Sequence, residues 1–281
     1  MHTGGVVTVV SELKELPSGF MMPSLGLGTW ELQGKEGLRA IETALAMGYR
    51  HIDTAEMYEN HEIVGEAISG YDRAELFITS KVNSPHLHYD DVLSVCDATL
   101  LELGTDYLDL FLIHWPNPDV PMPQTLDALR HLVEEGKIRD MGVSNFQPHR
   151  MRMALDITPH PLANNQVELH PHLWQDELVR LCFENDVTVT AYAPLGRTKV
   201  LQDETIQMLA DKHDVTPAQV SLRWLLQKGC VVIPRSTSGE HLRQNMDLFG
   251  WSLSSVDMVA IDEIPHEERV VNPSFEEFET P

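Results

Sequence analysis

Eight short apolar runs set the terms on which this chain can fold. They lie near 24–28, 50–53, 76–80, 107–113, 138–143, 163–167, 187–191 and 230–233. Between them, stretches such as 37–47, 90–103, 124–135 and 176–184 carry apolar residues at helix spacing. Strands that alternate with helices are joined by crossovers, and crossovers give a parallel sheet covered by helices. A length of 281 residues suits one large α/β domain or two small ones, and a (β/α)8 TIM barrel falls in that range. No composition break, low-complexity stretch or linker interrupts the pattern. The expectation is one barrel domain over 1–281.

The joints carry their own signals. Residues 1–23 read as a preface: a β-branched stretch at 6–10, then 13–16 and 20–23 flanking the turn residues Pro17, Ser18 and Gly19, which predicts a hairpin. Gly48, Gly104 and Gly136 stand where helices end, in the place of C′ glycines. Pro217 reads as the first turn of a helix capped by Thr216. Segment 194–202 is longer than most connections, helices are expected over 239–249 and 255–264, and 265–281 forms a tail.

Charge narrows the partners. With 43 acidic and 20 basic residues the formal net charge is −23, which repels nucleic acid and anionic lipid. Such a surface resembles those of proteins adapted to molar salt, where screening over about 3 Å tolerates dense negative charge. A halophilic source is therefore expected. No run approaches the roughly 18 apolar residues of a membrane span, and the start lacks the basic n-region of a signal peptide. Cys96, Cys182 and Cys230 are too few and too scattered for a disulfide framework or a zinc site. They read as buried, reduced thiols of a cytoplasmic protein, and no metal is expected.

Four residues sit at or just past the downstream ends of the runs: Asp53 and Tyr58 in HIDTAEMYEN, Lys81 in LFITSKV and His114 in LDLFLIHWP. In a parallel sheet all four emerge at one carboxyl edge, where α/β proteins build active sites. A phenol delivers a proton near neutral pH only if its pKa falls from about 10. A lysine ammonium close by stabilises the phenolate, and a carboxylate beyond the lysine keeps the amine charged and aimed. An imidazole beside the phenol holds a carbonyl oxygen for attack. Alone, Asp53 and Lys81 read as a structural ion pair, Tyr58 as a surface phenol and His114 as a strand-end histidine. Together they favour catalysis.

These residues and their flanking words resemble the aldo-keto reductase family. GLGTW at 26–30, the five-residue step from Asp53 to Tyr58, IHWP, GVSNF at 142–146, NQVELHP at 165–171, AYAPLG at 191–196 and IPRST at 233–237 follow the family's order. The members it looks most like are 2,5-diketo-D-gluconate reductases and aldehyde reductases. The resemblance implies a barrel whose lower end is plugged by the hairpin, with extra C-terminal helices. It implies an NADPH-dependent oxidoreductase that reduces aldehydes and ketones to alcohols by hydride transfer. In that reading Tyr58 is the general acid, Lys81 lowers its pKa, Asp53 orients Lys81 and His114 positions the carbonyl. The partner is a small-molecule carbonyl compound, and the family is often monomeric. It also includes NADPH-binding regulatory subunits of potassium channels, and lens crystallins without physiological turnover. The intact four argue against a purely structural role.

No GxGxxG phosphate loop follows a strand, since Gly26 and Gly28 lack the third glycine. By resemblance, an extended NADPH lies over the barrel mouth on Gly28, Thr29 and Trp30. Ser144, Asn145 and Gln166 grip the nicotinamide carboxamide, which needs both donors and acceptors, and Tyr192 stacks on the ring. Leu195 and Gly196 belong to the loop that closes over it. Arg235, Ser236, Thr237, His241, Gln244 and Asn245 surround the adenosine 2′-phosphate, arginine and hydroxyls at a helix start being suited to a dianion. His241 replaces the family's usual arginine, Gln244 its glutamate and Ala193 its serine, so NADPH is expected to be preferred with NADH also accepted. Trp30, Trp115 and Phe146 are expected to line the pocket mouth and meet substrate. A tryptophan common after the catalytic lysine is missing, with Asn83 nearby.

Overall fold

The structure, a computed structural model, describes residues 11–265 and 268–273. The stretch at 6–10 and most of the tail after 265 lie outside the described residues. The chain begins with an antiparallel hairpin, β1 (Leu13–Glu15) and β2 (Met21–Pro23), in the register Leu13 to Pro23. Eight strands follow: β3 (Leu27–Gly28), β4 (His51–Asp53), β5 (Phe77–Val82), β6 (Leu108–Ile113), β7 (Ile138–Ser144), β8 (Asn164–Glu168), β9 (Thr188–Tyr192) and β10 (Val231–Val232). Each pairs in parallel with the next. The two edges then meet. Leu25 bridges Val232 in parallel, Gly26 N donates to Val232 O at 2.9 Å, and Val232 N donates to Ser24 O at 2.8 Å. The sheet thus curls into the expected barrel.

The closing seam is tight, and glycine makes it possible. A Cβ on Gly28 would lie 2.7 Å from Ile233 O, and one on Gly26 would lie 2.6 Å from the His51 ring. A side chain at Gly28 would push the first and last strands apart, and one at Gly26 would displace the buried His51 ring.

Helices clothe the barrel: α1 (Gly34–Met47), α2 (His61–Ile68), α3 (Tyr89–Leu103), α4 (Met122–Glu134), α5 (Pro148–Ile157), α6 (Asp176–Glu184), α7 (Glu204–His213), α8 (Pro217–Gln227), α9 (Gly239–Met246) and α10 (Ser255–Asp262). Gly48, Gly104 and Gly136 take the left-handed φ values of 112°, 65° and 73° that end α1, α3 and α4. Thr216 caps α8 as the sequence predicts, with Gln219 completing a capping box. Two predicted helices stop early. α9 ends at Met246, just before the fully buried Leu248, and α10 ends at Asp262 rather than 264. Within the long connection 194–202, residues Gly196–Gln202 form a 3-10 coil broken by left-handed Arg197 and Thr198.

Two cores result. The larger lies between strands and helices. The smaller joins Leu16 and Met22 of the hairpin to Phe77, Leu110, Leu112, Ala163 and Val231 inside the barrel. Phe77 and Val231 begin their strands, so the hairpin plugs the amino-terminal end. Burying each of these side chains other than Ala163 contributes about 1.5–3 kcal/mol. The carboxyl rim at the other end carries Asp53, Ser144, Glu168 and Tyr192 as strand termini.

Candidate active site

Lys81 lies inside β5 with no exposed surface, so each of its three ammonium protons needs an acceptor. The structure supplies three. Nζ donates to Asp53 Oδ1 at 2.6 Å, to the Thr54 carbonyl at 2.8 Å and to the Tyr58 hydroxyl at 3.5 Å. Asp53, the last residue of β4, receives the Gln166 amide from β8 on its other oxygen at 2.6 Å. Tyr58 ends a short 3-10 turn, Glu56–Tyr58, terminated by Glu59 at a left-handed φ of 51°. Its peptide N–H donates to Ala55 O at 3.0 Å, and Gln33 donates to its carbonyl. The His114 and Trp30 rings stand edge-on to the phenol, at centroid distances of 5.5 and 5.0 Å. Asp53, Tyr58, Lys81 and His114 therefore share one site.

Burial governs the charges. It pushes the Tyr58 phenol well above its ordinary 10, and the Asp53 carboxylate adds to the rise. The expected acidification by Lys81 does not appear here. The ammonium stands 3.5 Å from the phenol oxygen, yet burial sets the net direction, and desolvation lowers the pKa of the ammonium itself. The phenol is thus a fully protonated donor with an ammonium waiting beside its oxygen. Burial, and then the Lys81 charge, hold His114 well below 6.5, so its ring is neutral at physiological pH. His114 Nδ1 is buried without a hydrogen-bond partner among the described residues.

At the next strand ends, Ser144, Asn145, Gln166 and Tyr192 come together. Ser144 Oγ donates to Gln166 O at 2.7 Å. Asn145 Nδ2 donates to His114 O at 2.9 Å and to Ser144 Oγ at 3.1 Å, while its Oδ1 accepts from the Tyr192 hydroxyl at 2.8 Å. Amide and hydroxyl groups of this kind form a donor set fitted to a carboxamide. Gly28 and Thr29 are buried just ahead of Trp30, and Thr29 Oγ1 donates to Asp53 O at 2.9 Å. Leu195 precedes the 3-10 coil that begins at Gly196. Beyond the seam, Arg235 is exposed, Ser236 buried and Thr237 exposed, just ahead of α9, whose cap is Ser238. His241 is exposed on that helix, Gln244 bonds Glu240 at 3.2 Å and Asn245 is buried. Arginine, hydroxyls and a helix start together suit an anion.

Of the expected pocket residues, Trp30 is 41% exposed beside Tyr58, and Trp115 is buried next to His114. Phe146 is a correction. It is 1% exposed and belongs to the main core, not to the mouth. Asn145 before it has a φ of 62°, and a left-handed residue breaks the alternation that a strand would continue. The sequence reading also passed over Asn60, which donates to Thr29 O at 2.9 Å and Leu32 O at 3.2 Å and accepts from Thr54 Oγ1 at 2.6 Å. It missed Glu168 as well, whose fully buried carboxylate accepts from Val270 N at 2.7 Å and Val271 N at 2.9 Å. Both belong to words already singled out, HIDTAEMYEN and NQVELHP, so a polar residue inside such a word was the available signal.

Comparison with known proteins agrees with this geometry. The model of the Aldo/keto reductase family matches residues 24–265. The glyoxal reductase of Bacillus subtilis is 42% identical over 267 residues, covering 94% of this chain and 96% of its own. An aldo-keto reductase of Mycobacterium sp. (strain KMS) is 40% identical over 261 residues, with coverage of 92% and 95%. Among solved structures, MGS-M4, an aldo-keto reductase enzyme from a Medee basin deep-sea metagenome library, superposes with a TM-score of 0.90 at 36% identity, covering 95% of this chain and 99% of that one.

Proposed function

The chain belongs to the aldo/keto reductase family, and from that premise we propose that it is an NADPH-dependent reductase of aldehydes and ketones with Tyr58 as its general acid. The observation that carries this reading is the Lys81 ammonium, fully buried, with Asp53 on one side and the Tyr58 hydroxyl on the other. A bound nicotinamide supplies the hydride. The residues handle the proton. Burial keeps the phenol protonated until a carbonyl oxygen gains negative charge nearby, and Tyr58 then gives its proton to that oxygen. As the O–H bond breaks, Lys81 stabilises the phenolate through the donor it already directs there. Asp53 keeps the amine charged, and Gln166 steadies Asp53. His114, neutral and edge-on to the phenol, holds the carbonyl oxygen.

In the same reading Ser144, Asn145, Gln166 and Tyr192 hold the nicotinamide end. Gly28, Thr29, Trp30, Leu195 and Gly196 underlie and flank the middle. Arg235, Ser236 and Thr237, with His241, Gln244 and Asn245, take the 2′-phosphate and adenosine. Trp30 and Trp115 flank the substrate. We place the enzyme in the cytoplasm as a monomer, with burial raising the Cys96, Cys182 and Cys230 thiols to about 12 and so keeping them unreactive.

A panel of aldehydes and ketones assayed with NADPH and with NADH tests the reaction, and Tyr58→Phe tests the acid. The variant should lose about 10²-fold or more in kcat while its Kd for NADPH stays nearly constant. Turnover at the wild-type rate in that variant would remove Tyr58 from the role. Equal or better kcat/KM with NADH would overturn the cofactor preference.

A further inference from the structure

The seam between the first and last barrel strands carries a charge pair at its upper end. Arg235, just after β10, donates through Nη1 to the Trp30 carbonyl at 3.0 Å, and the same nitrogen is paired with the Glu31 carboxylate. The two side chains are 41% and 63% exposed, so the pair is open to solvent and to any ligand arriving over the mouth. Glu31 does not drift. Its φ is 60°, a left-handed value uncommon outside glycine, and the backbone on either side is pinned. Leu32 N donates to Thr29 O at 2.9 Å, and the buried Asn60 amide grips both the Thr29 and Leu32 carbonyls. A fixed turn thus presents a carboxylate to the one arginine in the segment Arg235, Ser236, Thr237.

We infer that Glu31 sets the cofactor selectivity of this enzyme by competing with the 2′-phosphate of NADPH for the Arg235 guanidinium. The inference rests on the proposed placement of that phosphate at Arg235. A guanidinium that already holds a carboxylate has lost much of its attraction for an incoming dianion. The dianion must displace Glu31 or lie beside a like charge. NADH has no phosphate at that ribose and meets neither cost. Glu31 therefore narrows the gap between the two cofactors, and its charge, rather than its size, is responsible.

Cofactor binding read by quenching of protein tryptophan fluorescence tests this without turnover. Glu31→Gln keeps the shape of the side chain and removes its charge. It should tighten NADPH by about fivefold, the scale of one exposed ion pair, and change Kd for NADH by less than about twofold. Arg235→Ala should weaken NADPH and leave NADH nearly unchanged. Arg235→Ala without effect on NADPH would sink the phosphate placement itself. With Arg235→Ala behaving as expected, an unchanged NADPH affinity in Glu31→Gln, or equal tightening of both cofactors, would overturn the role of Glu31 alone.

Discussion

Lys81 is where the residue scale decides most. An ammonium with no exposed surface is costly to bury, and it is tolerated because every proton has an acceptor and one acceptor is a carboxylate. The converse matters for mutation. Lys81→Met keeps the volume but leaves the Asp53 carboxylate buried with only the Gln166 amide donating to its side chain. We expect a loss of about 3–5 kcal/mol in urea unfolding, alongside the loss of activity. A folded Lys81→Met protein within about 1 kcal/mol of the parent would mean that the pair is not holding β4 to β5. Reading the site one residue at a time also separates proton donor from stabiliser. Burial, helped by the Asp53 carboxylate, keeps Tyr58 protonated in the ground state, and the neighbouring ammonium stabilises the phenolate as the proton leaves.

Among the elements, α10 shows how a helix start is fixed by charge. Asp257 sits in its first turn, accepting from Ser254 N at 3.0 Å, Ser254 Oγ at 2.8 Å, Lys212 Nζ at 2.6 Å and His213 Nε2 at 3.0 Å. Burial opposes its charge, yet the bonds from Lys212, Ser254 and His213 prevail and hold the carboxyl well below the usual carboxylate range. Because the folded pKa lies below the unfolded one, the stabilisation is complete above about pH 4 and is lost as pH falls further. Asp257→Asn should therefore cost about 1–3 kcal/mol at neutral pH, and the gap to wild type should close in urea melts below about pH 4. A gap that stays constant across that range would show that the cap works without its charge. At the same scale, α9 ends at Met246 and Leu248, two residues on, is fully buried in the core.

For the whole molecule, net charge and buried histidines pull against each other. A formal charge of −23 repels itself, so stability at neutral pH should rise as KCl goes from about 0.1 M to about 2 M. Stability that falls steadily over that series would remove the halophilic reading. His51 is fully buried between Pro23 O and Thr79 Oγ1, both at 3.2 Å, and burial pushes its pKa down to about 4. Burial shifts His61 and His114 in the same direction. The fold prefers these rings neutral. Their contribution is complete above about pH 6.5 and is lost as pH falls towards the folded values. At low salt, carboxylates that begin to protonate at the acid end of that interval relieve repulsion and offset part of the loss. In high salt the histidines should stand alone, and melts should show stability declining from about pH 7 to about pH 5. A flat profile in high salt would refute that account.

The alternation of strands and helices was legible in the sequence because it is a local property: side-chain periodicity, cap residues and turn glycines each act within a few positions. The strand-end positions of Asp53, Lys81 and His114 were legible for the same reason, since each closes or follows an apolar run. Tyr58 came with them through its five-residue step from Asp53. Partnerships between distant segments were not legible. Gln166 reaches Asp53 across 113 residues of chain and Arg235 reaches Glu31 across 204. No local pattern encodes such contacts, because only the curl of the sheet brings the strand ends to one rim. The same holds for Phe146, sent into the core by a single left-handed residue, and for the protonation of Tyr58. The tertiary structure sets what packs around that phenol, and burial raises its pKa although the Lys81 ammonium lies beside its oxygen.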